Sequence, residues 1–318
     1  MASYEGLDRR VRELIEARYK EFEQDVQHRQ GLAERHSKLQ NERVKRRHDF
    51  MAAIGTDMKK LDAAVENENR TLEAELAAFL KEFRPQAVDR APLTAATAKD
   101  AAIRMAVLAE AGHPILPVFA SSIYTADKSI FAHVAGIKEW NDSIGTGWVL
   151  PDNPARILVW MIGHNPGAVC GLWDYHWVPS PFGVTFAFVP PVTATYEMTA
   201  VIAFHGFYIL KSDDGLFTCR DASVKLTAQM NAHQYADTAW TDFTLLDIEK
   251  ENADEITNYD RTHFLDVRAD LRKGDPVVVT VKGAVDARAH GGGAYAELNF
   301  HDGTANYIEP LFLSVQQV

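Results

Sequence analysis

The residues best equipped for chemistry lie between Cys170 and Gly183, CGLWDYHWVPSPFG, where Trp173, Tyr175, His176 and Trp177 fall within five positions. In an extended segment successive side chains alternate between faces. Trp173, Tyr175 and Trp177 then share one face, and Asp174 and His176 the other. Three rings at period two make a flat platform that suits the C–H face of a sugar or, by cation–π attraction, a quaternary ammonium group. The same rings would serve to fill a core or a subunit interface, where large aromatic groups contribute most. Pro179, Pro181, Gly167 and Gly171 supply turns on both sides, which places the segment near a rim. These three aromatic residues are the candidate ligand-binding set. A catalytic role for His176 beside Asp174 would need a nucleophile, and no G-x-S-x-G elbow marks one, so no catalytic residue is assigned.

The chain holds 12 histidines but no H-x-H, H-E-x-x-H or C-x-x-C spacing. A β-sandwich can still assemble two imidazoles and a carboxylate from separate positions, as iron and zinc sites require. His290 and His301 stand at opposite ends of one expected hairpin arm, with Glu297 on its strand. That trio is the metal candidate. No other cofactor is expected, since SDDG lacks the alternating carboxylates of a calcium loop and SIGTG and GHNPG lack the lysine and helix of a phosphate loop. Cys170 and Cys219 are too few for a disulfide scaffold and read as reduced thiols, with a single pairing between them left open.

Charge divides the chain. Residues 1–84 carry 17 basic and 17 acidic groups, so the whole net charge of −11 falls on the remainder. An acidic globular part repels phosphate backbones, which argues against nucleic acid as a partner. No run approaches the roughly 18 apolar residues of a membrane helix. Met1 to Lys20 is charged throughout and has no apolar leader segment, so cytoplasmic synthesis without a secretory signal is expected, with later release or incorporation into a particle left open.

Positioning such sites falls to two regions of different period. Residues 1–84 are rich in Ala, Glu, Lys, Arg, Leu and Gln, contain no proline, and repeat their apolar residues at three and four. Met51, Ile54, Met58, Leu61, Val65, Leu72, Leu76, Phe79 and Phe83 form a narrow seam of the kind that pairs helices in a coiled coil. The seam thins between Gln27 and Asp49, where the basic cluster Lys45–His48 lies. One helix of about 77 residues would reach about 115 Å. It would need partner chains, because a narrow stripe does not hold a lone helix. A helical hairpin turning near Gly31 or in the polar stretch would bury its own seam; the rod is slightly preferred. Pro85 ends the helix, and residues 85–114 read as a linker followed by a short helix with Ile103, Val107 and Leu108 on one face. From 115 to 318 the period falls to two. Strands are expected at 156–162, 184–189, 196–210, 217–230, 240–247, 263–271, 277–285, 294–300 and 307–315, separated by Gly- and Asp-rich turns.

The expected fold is α+β: a long N-terminal coiled-coil helix or helical hairpin, then an antiparallel, jelly-roll-like β-sandwich head. The function that follows is a non-catalytic homo-oligomeric binding or structural protein. Its residues 1–84 self-associate and multiply the copies of a head that recognises a surface ligand such as a glycan. Two alternatives stand beside it. One is a membrane-active, pore-forming toxin that would insert 193–210 and 224–234 as a hairpin. The other is a metal-dependent β-sandwich enzyme using His290, Glu297 and His301.

Overall fold

The structure is a computed structural model that describes residues 9–90, 122–124, 130–131, 144–150, 153–165, 179–212, 221–235, 237–291 and 293–318. Of the linker and short helix expected at 85–114, residues 91–114 lie outside the described residues.

The helical region is two helices, α1 (Arg9–Ala53) and α2 (Met58–Val88), so the chain forms the hairpin rather than the slightly preferred rod. The turn falls at neither expected place. Gly31 sits inside α1, and the chain reverses at Gly55, whose φ of +91° is costly for any residue with a Cβ. The amide of Gly55 donates to Ala52 O and that of Thr56 to Met51 O, both at 3.1 Å, which closes α1 with a Schellman motif. Two residues later Asp57 caps α2, accepting from the Lys60 amide at 3.2 Å. A stop and a start back to back leave no room for a continuous rod. Across the turn His48 Nε2 lies 3.9 Å from Asp62 Oδ1. At its other end α2 continues through Pro85 to Val88, past the expected stop, because this last turn is docked: Ala87 is buried, and the Asp89 amide donates to Pro85 O at 2.8 Å.

The head is a β-sandwich of antiparallel strands. They are β1 (Ser122–Tyr124), β2 (Ile130–Phe131), β3 (Ile144–Leu150), β4 (Asn153–Asn165), β5 (Ser180–Phe188), β6 (Ala194–Ser212), β7 (Asp221–Gln234), β8 (Asp237–Lys250), β9 (Ala253–Leu271), β10 (Val277–His290), β11 (Ala294–Phe300) and β12 (Tyr307–Gln317). One sheet holds seven strands, with β3 beside β4, β9 at the other edge, and β11 and β12 end to end between β4 and β6. The second sheet runs β2-β5-β10-β7-β8. Every strand expected from 156 onward has its counterpart, and most of these are longer than expected. The largest shortfall is β9, whose first half, Ala253–Thr262, is too polar to show apolar alternation.

The core lies between the sheets. On β10, Val277, Val279, Val281, Val285, Ala287 and Ala289 face it, as the alternation predicts. Gly283 interrupts this row for a reason of space: a Cβ there would fall 2.0 Å from the Phe182 ring. Phe182, Phe204 and Phe300 stack edge to face at 5.8–6.1 Å around that point.

The two helices cover opposite outer faces. Seam residues Leu72, Leu76 and Phe79 of α2 meet the seven-stranded sheet, where Leu76 joins Phe207, Ile209 and Tyr295 in a small second core and Leu72 rests on Gly293. Helix α1 crosses the five-stranded sheet over β5 and β10, with Phe22 buried beneath it. Between these docked ends the hairpin forms an arm bearing Met51, Ile54, Met58, Leu61 and Val65; Ile54 is 64% exposed, and Leu39 and Phe50 are similarly open. Leu76→Ala removes a side chain that is 3% exposed. It is expected to destabilise the protein by about 2–5 kcal/mol in urea denaturation, whereas a free stalk would leave the unfolding of the sandwich unchanged.

Candidate functional site

Two places concentrate polar groups, one under each helix. Beneath α2 they are largely paired, His205 Nε2 being buried without a partner. Glu297 points outward from β11 and is 0% exposed. Arg84 grips it bidentately, from Nε at 3.0 Å and Nη2 at 2.9 Å, and Tyr295 Oη and Asn299 Nδ2 donate to it at 2.7 Å each. Arg84 also pairs with Asp302, whose second oxygen lies 2.7 Å from His301 Nδ1. A parallel set follows just past the end of α2: Arg90 pairs with Asp260 and donates to Asn306 at 2.8 Å, and His205 Nδ1 lies 3.1 Å from Asp260. Glu73 meets His164 at 3.0 Å. The His301 hydrogen bond, aided by Arg84, holds the Asp302 carboxyl down at about 2 against the opposing effect of burial. Burial and then the Glu297 charge push the Tyr295 phenol well above its ordinary range.

This geometry separates the metal trio. Glu297 spends its oxygens on Arg84, Tyr295 and Asn299, and His301 bonds Asp302 and stacks on Trp160 at 4.2 Å. His290 belongs to the other sheet, where its Nδ1 lies 2.6 Å from Asp221. Among the described residues no group of three His, Cys, Asp or Glu is arranged to hold a metal. The cluster is a fastening for α2.

The open place lies beneath α1. Glu21, Phe22, Asp25 and Arg29 roof a groove of about 610 Å³ whose floor is the outward face of β5, β10, β7 and β8. The registers set out that floor in rows. Asp242, Gln229 and Lys282 align across β8, β7 and β10; Thr244, Thr227, Ala284 and Pro181 form the next row; and Trp240, Asn231 and Thr280 form the row on the other side, on the same face just beyond the groove lining. Asn231 Nδ2 donates to Gln229 Oε1 at 3.1 Å, and Gln229 Nε2 donates to Asp242 Oδ1 at 2.7 Å. That chain fixes both amides and the carboxylate in place. Trp240, 62% exposed, ends the outer row. A flat ring beside prearranged amide, carboxylate and hydroxyl groups can stack on the apolar face of a ligand while hydrogen-bonding its polar edge.

Trp173, Tyr175 and Trp177 lie outside the described residues. The described chain resumes at Pro179, which lines the groove, two residues after Trp177. The floor itself was missed by sequence reading. Its signal is the alternation in β8, where Trp240, Asp242 and Thr244 recur at period two opposite partly buried neighbours. A polar strand face ordinarily reads as plain solvent exposure.

No family model matches the chain, and no curated protein matches it. Several solved structures resemble part of it. They include TmCBM61 in complex with β-1,4-galactotriose (9% identity, TM-score 0.19, covering 57% of this chain and 90% of that one). The Eiger TNF of S. frugiperda is similar at 12% identity and TM-score 0.18, over 64% of this chain and 94% of its own. A CBM4 structure matches at 11% identity and TM-score 0.18, over 58% and 88%. At such TM-scores these likenesses carry no weight for fold or ligand.

Two outcomes test the fastening. Arg84→Ala strands a carboxylate that is 0% exposed and is expected to cost about 3–5 kcal/mol in equilibrium unfolding. The depressed Asp302 carboxyl contributes stability above its ordinary value of about 3.9, and this is lost as pH falls from there through about 2. Urea midpoints should therefore drop more steeply in that window for the wild type than for Asp302→Asn.

Proposed function

We propose that this chain is a non-catalytic binding protein whose β-sandwich takes a hydroxyl-rich ligand, a glycan, in the groove beneath α1. One observation carries the reading: an exposed tryptophan, Trp240, stands one row from the fixed Asn231–Gln229–Asp242 chain. Sugars present an apolar ring face and paired hydroxyls, and that floor offers a partner for each. Trp173, Tyr175 and Trp177, the aromatic candidates of the sequence, remain part of the same proposal. Titration of the full chain against a glycan array and then against free oligosaccharides tests it. Trp240→Ala and Asp242→Ala should each weaken binding about tenfold or more while leaving the unfolding midpoint in place. Absence of any glycan ligand, or indifference of binding to both changes, counts against the proposal.

The helical arm belongs to the same proposal as the self-association element. Ile54, Phe50 and Leu39 are exposed there by 64%, 65% and 56%. A second copy would cover them, and joining heads raises avidity by about 10²–10⁴. Sedimentation of the full chain is expected to show a defined oligomer, and Phe50→Glu with Ile54→Glu should give a folded monomer. A wild-type monomer at all concentrations contradicts it.

A further inference from the structure

Lys282 is the unusual member of the groove floor. It pairs along the backbone with Gln229 on β7 and Gly183 on β5, its side chain is half-buried, and among the described residues it makes no hydrogen bond or ion pair. Every acid facing it is engaged elsewhere. Glu21 pairs with Arg18 at 2.5 Å, Asp25 with Arg29 at 2.9 Å, and Asp242 accepts from Gln229 at 2.7 Å. Burial depresses the amine's pKa, and the distant pull of Asp25 and Glu21 does not offset that. A partly desolvated charge without a direct partner is expensive, and it persists where something outside the resting protein completes it.

Resting on the glycan reading above, we infer that the ligand is an anionic sugar, held with its carboxylate or sulfate group against Lys282 and its hydroxyls against Asp242 and Gln229. Each carboxylate roofing the groove carries its own guanidinium, which lowers its repulsion of an anion. Phe22 excludes water from one side of the contact, which strengthens the ion pair relative to one on an open surface.

The test compares hexagalacturonate, its fully methyl-esterified form and a sulfated neutral hexasaccharide, each titrated into the full chain at low and high salt. At least one anionic ligand should bind about tenfold more tightly than the neutral ester, and that preference should shrink as salt rises. Lys282→Met should erase the preference with the unfolding midpoint retained, and Lys282→Arg should keep it. Preference for one anionic form over the other identifies which group Lys282 receives. Equal binding of ester and acid, or a preference that survives Lys282→Met, overturns the inference and leaves the glycan reading standing. Failure of all three sugars to bind, alongside neutral glycans that do bind on the array, also overturns the inference alone. No binding to any glycan removes both.

Discussion

A carboxylate with no access to water needs a cation, and in this protein that cation comes from a helix more than 200 residues away in the chain. Glu297 sits mid-strand on the outer face of β11, fully buried, with Tyr295 and Asn299 donating to it. Those neutral donors cannot balance its charge. Arg84 does, with two parallel hydrogen bonds, and the position of α2 follows from that geometry. Leu72, Leu76 and Phe79 fall on the sheet because Arg84 lies one to three turns farther along the same helix. Apolar burial supplies most of the stabilisation, but it is non-directional. The bidentate pair selects the rotation and register at which the helix seats. A hydrophobic replacement of both partners would be tolerated energetically, while loss of one alone would not.

The two outer faces of the sandwich are built for different ends. On the seven-stranded sheet, apolar residues and matched charges meet α2, and the contact closes. On the five-stranded sheet, the rows are amides, hydroxyls and charges, and α1 touches them chiefly through Phe22. A helix laid over a polar floor leaves space, and the groove is that space.

Much of the sandwich was legible because half-buried strands alternate. β11 and β12 were readable almost residue by residue, and β9 failed where its outward and inward residues are mostly polar. The helix break was legible in principle: Gly55, Thr56 and Asp57 place a helix-ending glycine two residues before a capping aspartate, a signal that carries neither proline nor a polar run. The apolar seam read as a surface for pairing with other helices. Period alone does not say whether that partner is another helix or a sheet, and for Leu72, Leu76 and Phe79 it is the sheet. Glu297 read as a metal ligand because a carboxylate flanked by histidines has that look. Its true partner was illegible, since nothing local connects position 297 to position 84.

Hydrogen exchange of the full chain tests the central claim, that the buried pair makes α2 an integral layer of the sandwich. If it does, amides of residues 74–84 exchange only with those of β11 and β6, at the free energy of global unfolding and with the same denaturant dependence. Exchange of those helical amides through a separate opening several kcal/mol lower, with β11 still protected, would show that Arg84 and Glu297 do not fix the helix and would contradict the account.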